Sequence, residues 1–225
     1  MKKYWKKTVL LVIAAMLLSV WAFGDPPVYF AKPIRGTVVD AETGKGLNGV
    51  VVVATWRVHT IGIGHSGIGG SIKTLEVVTD EEGKYFIPGW GPRPRPPLSY
   101  LGEYSPLLRY FKPKYFPTGQ SNALSSYEKR DKSAIRTSEW DGKVIRLTPF
   151  KDDNFEKYST WVDGIWSMFG DCVRECPRLV LGLGAESARI EAIAPENVSI
   201  RRVANIHSFS ESDQKFLKEF KHKNK

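Results

Sequence analysis

Val50-Val51-Val52-Val53-Ala54-Thr55-Trp56-Arg57 is the stretch on which the fold turns. In an extended chain Val50, Val52, Ala54 and Trp56 share one face, and Val51, Val53 and Thr55 share the other. Both faces are apolar, which predicts a central strand. Just upstream, Ile34-Arg35-Gly36-Thr37-Val38-Val39 is a second β-type run, ending in Asp40-Ala41-Glu42-Thr43-Gly44-Lys45-Gly46. That segment is a turn: aspartate supplies an acceptor for nearby backbone N–H groups and glycine supplies positive φ. Downstream, His59–Gly70 reads as a glycine-rich loop and pairing resumes over Ile72–Thr79. The chain then turns at Asp80-Glu81-Glu82-Gly83 and returns along Lys84–Pro88, a hairpin signal. This pattern places Gly44 and Gly83 at positive φ and buries Val50, Val52 and Phe86.

Further along, Gly89–Pro97 carries four prolines and two arginines and reads as a polyproline-like loop that cannot pair. Leu107–Lys112 is strand-like and is broken at Lys112-Pro113. Thr118–Ser138 is polar and reads as an insertion or long loop. Trp140-Asp141-Gly142-Lys143 turns the chain into a last strand, Val144–Thr148. After Pro149 the apolar period changes from two to nearly four. Phe155, Tyr158, Val162, Ile165, Trp166 and Phe169 fall on one helical face. Leu179, Val180, Leu183, Ile190 and Ile193 predict a second helix, weakened by Gly182 and Gly184. A third spans about Glu211–His222, with Ser210 as N-cap and Asp213 three residues on. Strands first and helices after predict a mainly β chain: a β-sandwich over 33–149 with a C-terminal α-helical extension over 150–225.

The runs Ile34–Gly44 and Leu47-Asn48-Gly49-Val50-Val51-Val52 follow the pattern G-x-V-x-D-x-x-T-G-x-x-L-x-G-V-x-V. Val78-Thr79-Asp80-Glu81-Glu82-Gly83-Lys84-Tyr85-Phe86 then follows the pattern T-D-x-x-G-x-F, with Tyr85 at its aromatic position. This combination resembles the bacterial carboxypeptidase regulatory-like domain, and the likeness covers about Pro33–Pro149. The resemblance implies an antiparallel, seven-stranded, prealbumin-like β-sandwich similar in fold to transthyretin. It also implies a non-catalytic module of the kind attached to peptidases or envelope proteins, with no active-site residues to carry over. Lys112-Pro113-Lys114-Tyr115 resembles a K-P-G-Y turn, with Lys114 where glycine is usual.

The N-terminus speaks of export. Lys2, Lys3, Lys6 and Lys7 precede Thr8–Phe23, sixteen residues that are apolar except for Thr8 and Ser19. A secretory core runs to ~7–15 residues, whereas a spanning helix needs ~20. Ala22-Phe23-Gly24 is a small-x-small triplet, and Asp25-Pro26-Pro27 stops any helix. Cleavage after Gly24 is the first expectation, giving a periplasmic or secreted protein; an uncleaved single-pass anchor is the second. Either way Asp25–Lys225 lies outside the cytoplasm. Removal of residues 1–24 takes four lysines from a formal charge of +9 and leaves +5. A charge that mild fits an anionic envelope surface, and equally a solvated surface with no partner. Nothing points to nucleic-acid readout.

No catalytic constellation stands out. A zinc peptidase needs two histidines and a carboxylate on the metal, with a glutamate to activate water. His59, His65, His207 and His222 are the only histidines, and none opens an H-x-x-E or H-E-x-x-H pattern. His59 and His65 could share a metal, but two loop histidines are more often solvated, so no metal or cofactor is expected. Gly62-Ile63-Gly64-His65-Ser66-Gly67 matches G-x-G-x-x-G only formally, because no helix material follows. Among aromatic residues that could floor a sugar site, Trp90 is the best exposed candidate. Arg93 and Arg95 beside it could touch phosphate groups, and so could the Lys215–Lys225 tail.

Two functions compete. The first is an exported non-catalytic binding or structural module whose partner is an unidentified envelope protein or polymer. The second is an envelope enzyme working on a glycan or peptide through carboxylates such as Glu81, Glu82, Glu103 and Asp141, which would have to face each other across a substrate. Cys172 and Cys176, the only cysteines, are an even pair in an exported chain and predict a local disulfide at the start of the second helix.

Overall fold

The computed structural model describes residues 25–61, 66–123, 132–151, 156–162, 172–193 and 209–224. The expected export segment, 1–24, with its expected cleavage after Gly24, lies outside these residues, as do Phe155, Ile165, Trp166 and Phe169. Its axis is β3 (Val51–Ile61), which pairs antiparallel with β4 (Ser66–Val78) on one side. On the other side it meets β7 (Ser99–Leu101) and β8 (Leu107–Phe111), and β9 (Thr118–Gln120) extends the sheet beyond β8. The two apolar faces of β3 serve two cores. Val52, Ala54 and Trp56 turn toward a facing sheet, where they meet Ile34, Val38 and Ile145. Val53 turns the other way and, with Phe111, sits under the helices. A double-sided valine run is thus the central plane of the molecule.

The facing sheet has the order β11 (Lys143–Leu147), β2 (Ile34–Asp40), β5 (Lys84–Ile87). A third, smaller sheet has the order β10 (Ile135–Arg136), β1 (Val28–Ala31), β6 (Trp90–Pro94). The protein is therefore mainly β, with mixed sheets. The expectation of seven antiparallel strands is corrected: eleven strands form three sheets among the described residues, and β11–β2 and β1–β10 pair parallel.

Four local expectations are also corrected. Gly89–Pro97 does pair, because Trp90–Pro94 forms a sheet edge against β1 in the register Val28–Pro94 and Tyr29–Arg93. Proline is tolerated on an edge, where a missing N–H faces away from the ladder. The ends of Thr118–Ser138 are strands β9 and β10 rather than loop. The glycine-rich loop is shorter than expected, since His59, Thr60 and Ile61 pair with Ile68, Gly67 and Ser66. Glycine lowers strand propensity without forbidding pairing. Phe86 is 50% exposed, whereas its neighbours Tyr85 and Ile87 are buried. Strand alternation sets this: once Tyr85 and Ile87 face the core, Phe86 must face out, and Arg35 covers its ring at 4.9 Å.

The turns hold as read. Gly44 and Gly83 have φ of +70° and +78°, and Val50 and Val52 are fully buried. A side chain at Gly83 would begin 2.2 Å from the Val38 carbonyl oxygen, so this turn needs glycine for space as well as for φ. Asp40 Oδ1 accepts from the Glu42 and Thr43 N–H groups, and Tyr115 donates its hydroxyl to Oδ2 at 2.9 Å. Lys114 occupies the left-handed region at φ +66°.

Among the described residues three helical segments follow: α1 (156–162), α2 (Pro177–Ile193) and α3 (Glu211–Lys223). Cys172 and Cys176 form a disulfide with Cα atoms 5.5 Å apart, just ahead of α2. Pro177 opens α2, where its fixed φ suits a first helical position. Gly182 lets the helix settle on the sheet, since a Cβ there would lie 2.8 Å from Phe111 Cε1. Ser210 caps α3, accepting from the Asp213 N–H at 3.3 Å. Among the described residues no helix is long and apolar enough to cross a membrane.

Candidate functional site

The acids weighed from sequence stand on turns. Glu81 and Glu82 are exposed in the hairpin turn, and Glu82 lies 4.0 Å from Lys84. Glu103 lies in the turn after β7. Asp141 Oδ1 accepts from the Arg35 N–H at 2.7 Å. Two buried carboxylates were not anticipated, and both hold α2. Glu76, with only 3% of its side chain exposed, reaches out of β4 and accepts from the Arg178 and Leu179 N–H groups at 3.1 and 2.7 Å. It therefore caps the helix from another element, which no local pattern encodes. Glu186 Oε1 accepts from Tyr158 at 2.5 Å, from Arg189 at 2.7 and 3.1 Å, and from the Lys114 N–H at 3.4 Å. Burial pushes its carboxyl up, but the hydrogen bonds from Arg189 and Tyr158 overcome that and hold it below the ordinary value. For Glu76 burial prevails over its N–H donors and the Arg178 charge, and the carboxyl is held above the ordinary value.

His59 accepts or donates a 2.6 Å hydrogen bond between Nε2 and the Tyr104 hydroxyl and stacks on Tyr100 at 5.1 Å. His65 lies outside the described residues. Among those described, no three His, Cys, Asp or Glu side chains are placed to hold a metal ion. Trp90 is half-buried and meets Trp56 edge-on at 5.3 Å, packed on the sandwich core. Arg95 turns inward to Asp25 at 3.7 Å and donates to the Ser99 carbonyl at 3.3 Å. Arg93 is exposed on the edge strand. The three lie along one strand and its exit, with Trp90 and Arg95 engaged internally.

Other described residues build concave surfaces, of which two are relevant here. A groove of about 800 Å³ runs along the seam where β5 and the end of β4 meet, lined by Arg35, Thr37, Val78, Lys84, Tyr85 and Phe86. A smaller cavity of about 340 Å³ lies where α1 meets β11, lined by Phe116, Thr118, Arg146, Thr148, Lys157 and Trp161. Alternation positions Arg146, because Ile145 and Leu147 face the core and turn it outward. Phe116 is held by its N–H bond to the Thr148 carbonyl at 2.9 Å. On α1, Tyr158 and Val162 bury one face, which leaves Lys157 and Trp161 beside it. Lys157 Nζ stands 5.8 Å from the centre of the Phe116 ring, a favourable cation–ring approach. Sequence periodicity could place Tyr158 and Val162, but not the pairing of helix and strand that forms this cavity.

No protein-family model matches the chain, and no curated protein does. Among solved structures it is similar to a streptococcal ancillary pilin, at 12% identity and TM-score 0.24 over 55% of this chain and 30% of that one. It is similar to the backbone protein of group B streptococcus pilus 2b, at 12% identity and TM-score 0.28 over 54% of this chain and 42% of that one. A 9R-lipoxygenase from Cyanothece matches at 12% identity and TM-score 0.25 over 76% of this chain and 29% of the enzyme. The chain spans less than half the length of each of these proteins. Pilins and an enzyme thus stand side by side at overlaps too low for either to carry an argument about this chain.

Proposed function

We propose that this chain is an exported, non-catalytic binding module of the cell envelope, built on a sandwich of the carboxypeptidase regulatory-like type. The observation that carries this reading is how the carboxylates are used. Asp40, Asp80 and Asp141 hold turn N–H groups, and Glu76 and Glu186 hold α2. The two concave surfaces, by contrast, are lined with aromatic rings, hydroxyls and cations, with Asp80 at the seam already bound to the Lys84 N–H. Hydrolysis by acid and base needs two carboxyl groups facing a substrate. Recognition needs rings and fixed polar groups around a hollow. The export signal and the turn motifs of 34–86 support the same reading from sequence. Incubating the exported chain with purified envelope polysaccharide and peptidoglycan tests it. Retention of protein on the polymer with no new reducing ends or free amines is expected, and turnover of either polymer would overturn it.

A further inference from the structure

We propose that the cavity between α1 and β11 binds a carboxylate-bearing sugar ring, such as a uronate unit of an acidic polysaccharide. This rests on the binding-module reading and names the ligand class for one of its surfaces. Trp161 is 46% exposed although it stands next to buried Val162. An indole left that open offers a flat face, and the C–H face of a pyranose packs against the electron-rich face of such a ring. Arg146 and Lys157 flank it, and neither has a carboxylate partner among the described residues. A guanidinium matches a carboxylate with two parallel hydrogen bonds, while an ammonium adds a point charge. Thr118 and Thr148 bring hydroxyls that can both donate to and accept from sugar hydroxyls. None of the lining residues is acidic. A cavity of about 340 Å³ lies at the small end of ligand sites, which run to ~300–1,000 Å³. That suits one or two rings rather than a broad macromolecular face. A nucleic-acid strand would need a track of cations with successive stacking platforms, and this cavity supplies two cations and one open indole.

The test titrates trigalacturonate, and neutral galactotriose as its control, into the exported chain, read by tryptophan fluorescence and calorimetry. Trigalacturonate should bind at least about tenfold more tightly than galactotriose, with affinity falling as salt rises. Arg146→Gln and Trp161→Ala should each weaken it by about tenfold, and Lys157→Gln by severalfold, with each variant still folded by far-ultraviolet dichroism at the titration temperature. Equal binding of the neutral trisaccharide, indifference to Arg146→Gln and Trp161→Ala, or no titration signal would each overturn the proposal. Poly(glycerol phosphate) is the second arm. If it alone binds, and Trp161→Ala abolishes that binding, the acidic-sugar assignment falls while the binding-module reading stands. Cleavage of trigalacturonate during the titration would instead overturn that reading itself.

Discussion

Three turn positions separate backbone strain from crowding. Gly44 and Gly83 share nearly the same φ, yet a Cβ at Gly44 meets nothing within 4 Å and one at Gly83 meets the Val38 oxygen at 2.2 Å. Gly44→Ala should therefore cost about 1 kcal/mol through the left-handed backbone alone. Gly83→Ala should cost clearly more, because the backbone must also move; urea midpoints of the two variants check the order. Lys114 presents the reverse case. It sits at φ +66° where the resembled turn has glycine, so Lys114→Gly should raise stability by up to about 1 kcal/mol. A fall in the midpoint would show that the lysine side chain contributes something the turn needs. These glycines were legible in the sequence because turn chemistry is local. The exposure of Phe86 was not, since the sequence pattern does not say which of two adjacent aromatic residues faces in. Only the pairing of Gly36 with Tyr85 settles that.

At the scale of the element, α2 is held by two carboxylates with opposite responses to acid. Glu186 has a lowered folded pKa, so its contribution is present above the unfolded value near 4.5 and is lost as pH falls. Glu76 has a raised one, so its contribution is fullest in acid and declines as pH rises from near 4.5 through the raised folded value. Glu186→Gln should flatten the acid loss of stability, and Glu76→Gln should steepen it; urea midpoints between about pH 3 and pH 7 read both. Removing the Glu76 acceptor altogether, as Glu76→Ala, leaves the Arg178 and Leu179 N–H groups without it and should cost about 1–3 kcal/mol at neutral pH. The disulfide ahead of α2 closes a short loop, so Cys172→Ser with Cys176→Ser should cost less than the ~3 kcal/mol of a fifteen-residue loop. The pair itself was legible as an even count of cysteines behind an expected export signal. The carboxylates were not, because each joins residues about seventy or more positions apart, Glu186 to Lys114 and Glu76 to Leu179.

For the whole molecule, β3 carries both cores, with Val52 in one and Val53 in the other. The helices are therefore expected to melt with the sandwich in one transition, seen as coincident far- and near-ultraviolet dichroism curves. A helical signal lost well before the sandwich would show that Val53 and Phe111 contribute little. The order of strands and helices was readable from the change of apolar period, but the parallel partnership of β2 with β11 was not, since it joins segments more than a hundred residues apart through their shared core face. That partnership governs how the molecule bears tension. A pull on the chain entering β2 and on the chain leaving β11 drags two parallel strands along each other. The whole ladder from Gly36–Lys143 to Asp40–Leu147 is then loaded in shear at once, instead of opening bond by bond like a zipper. Stretched from its ends, the protein should give up its helices and β1 first. It should then resist at a distinctly higher force while β2 and β11 hold, until the whole ladder yields together.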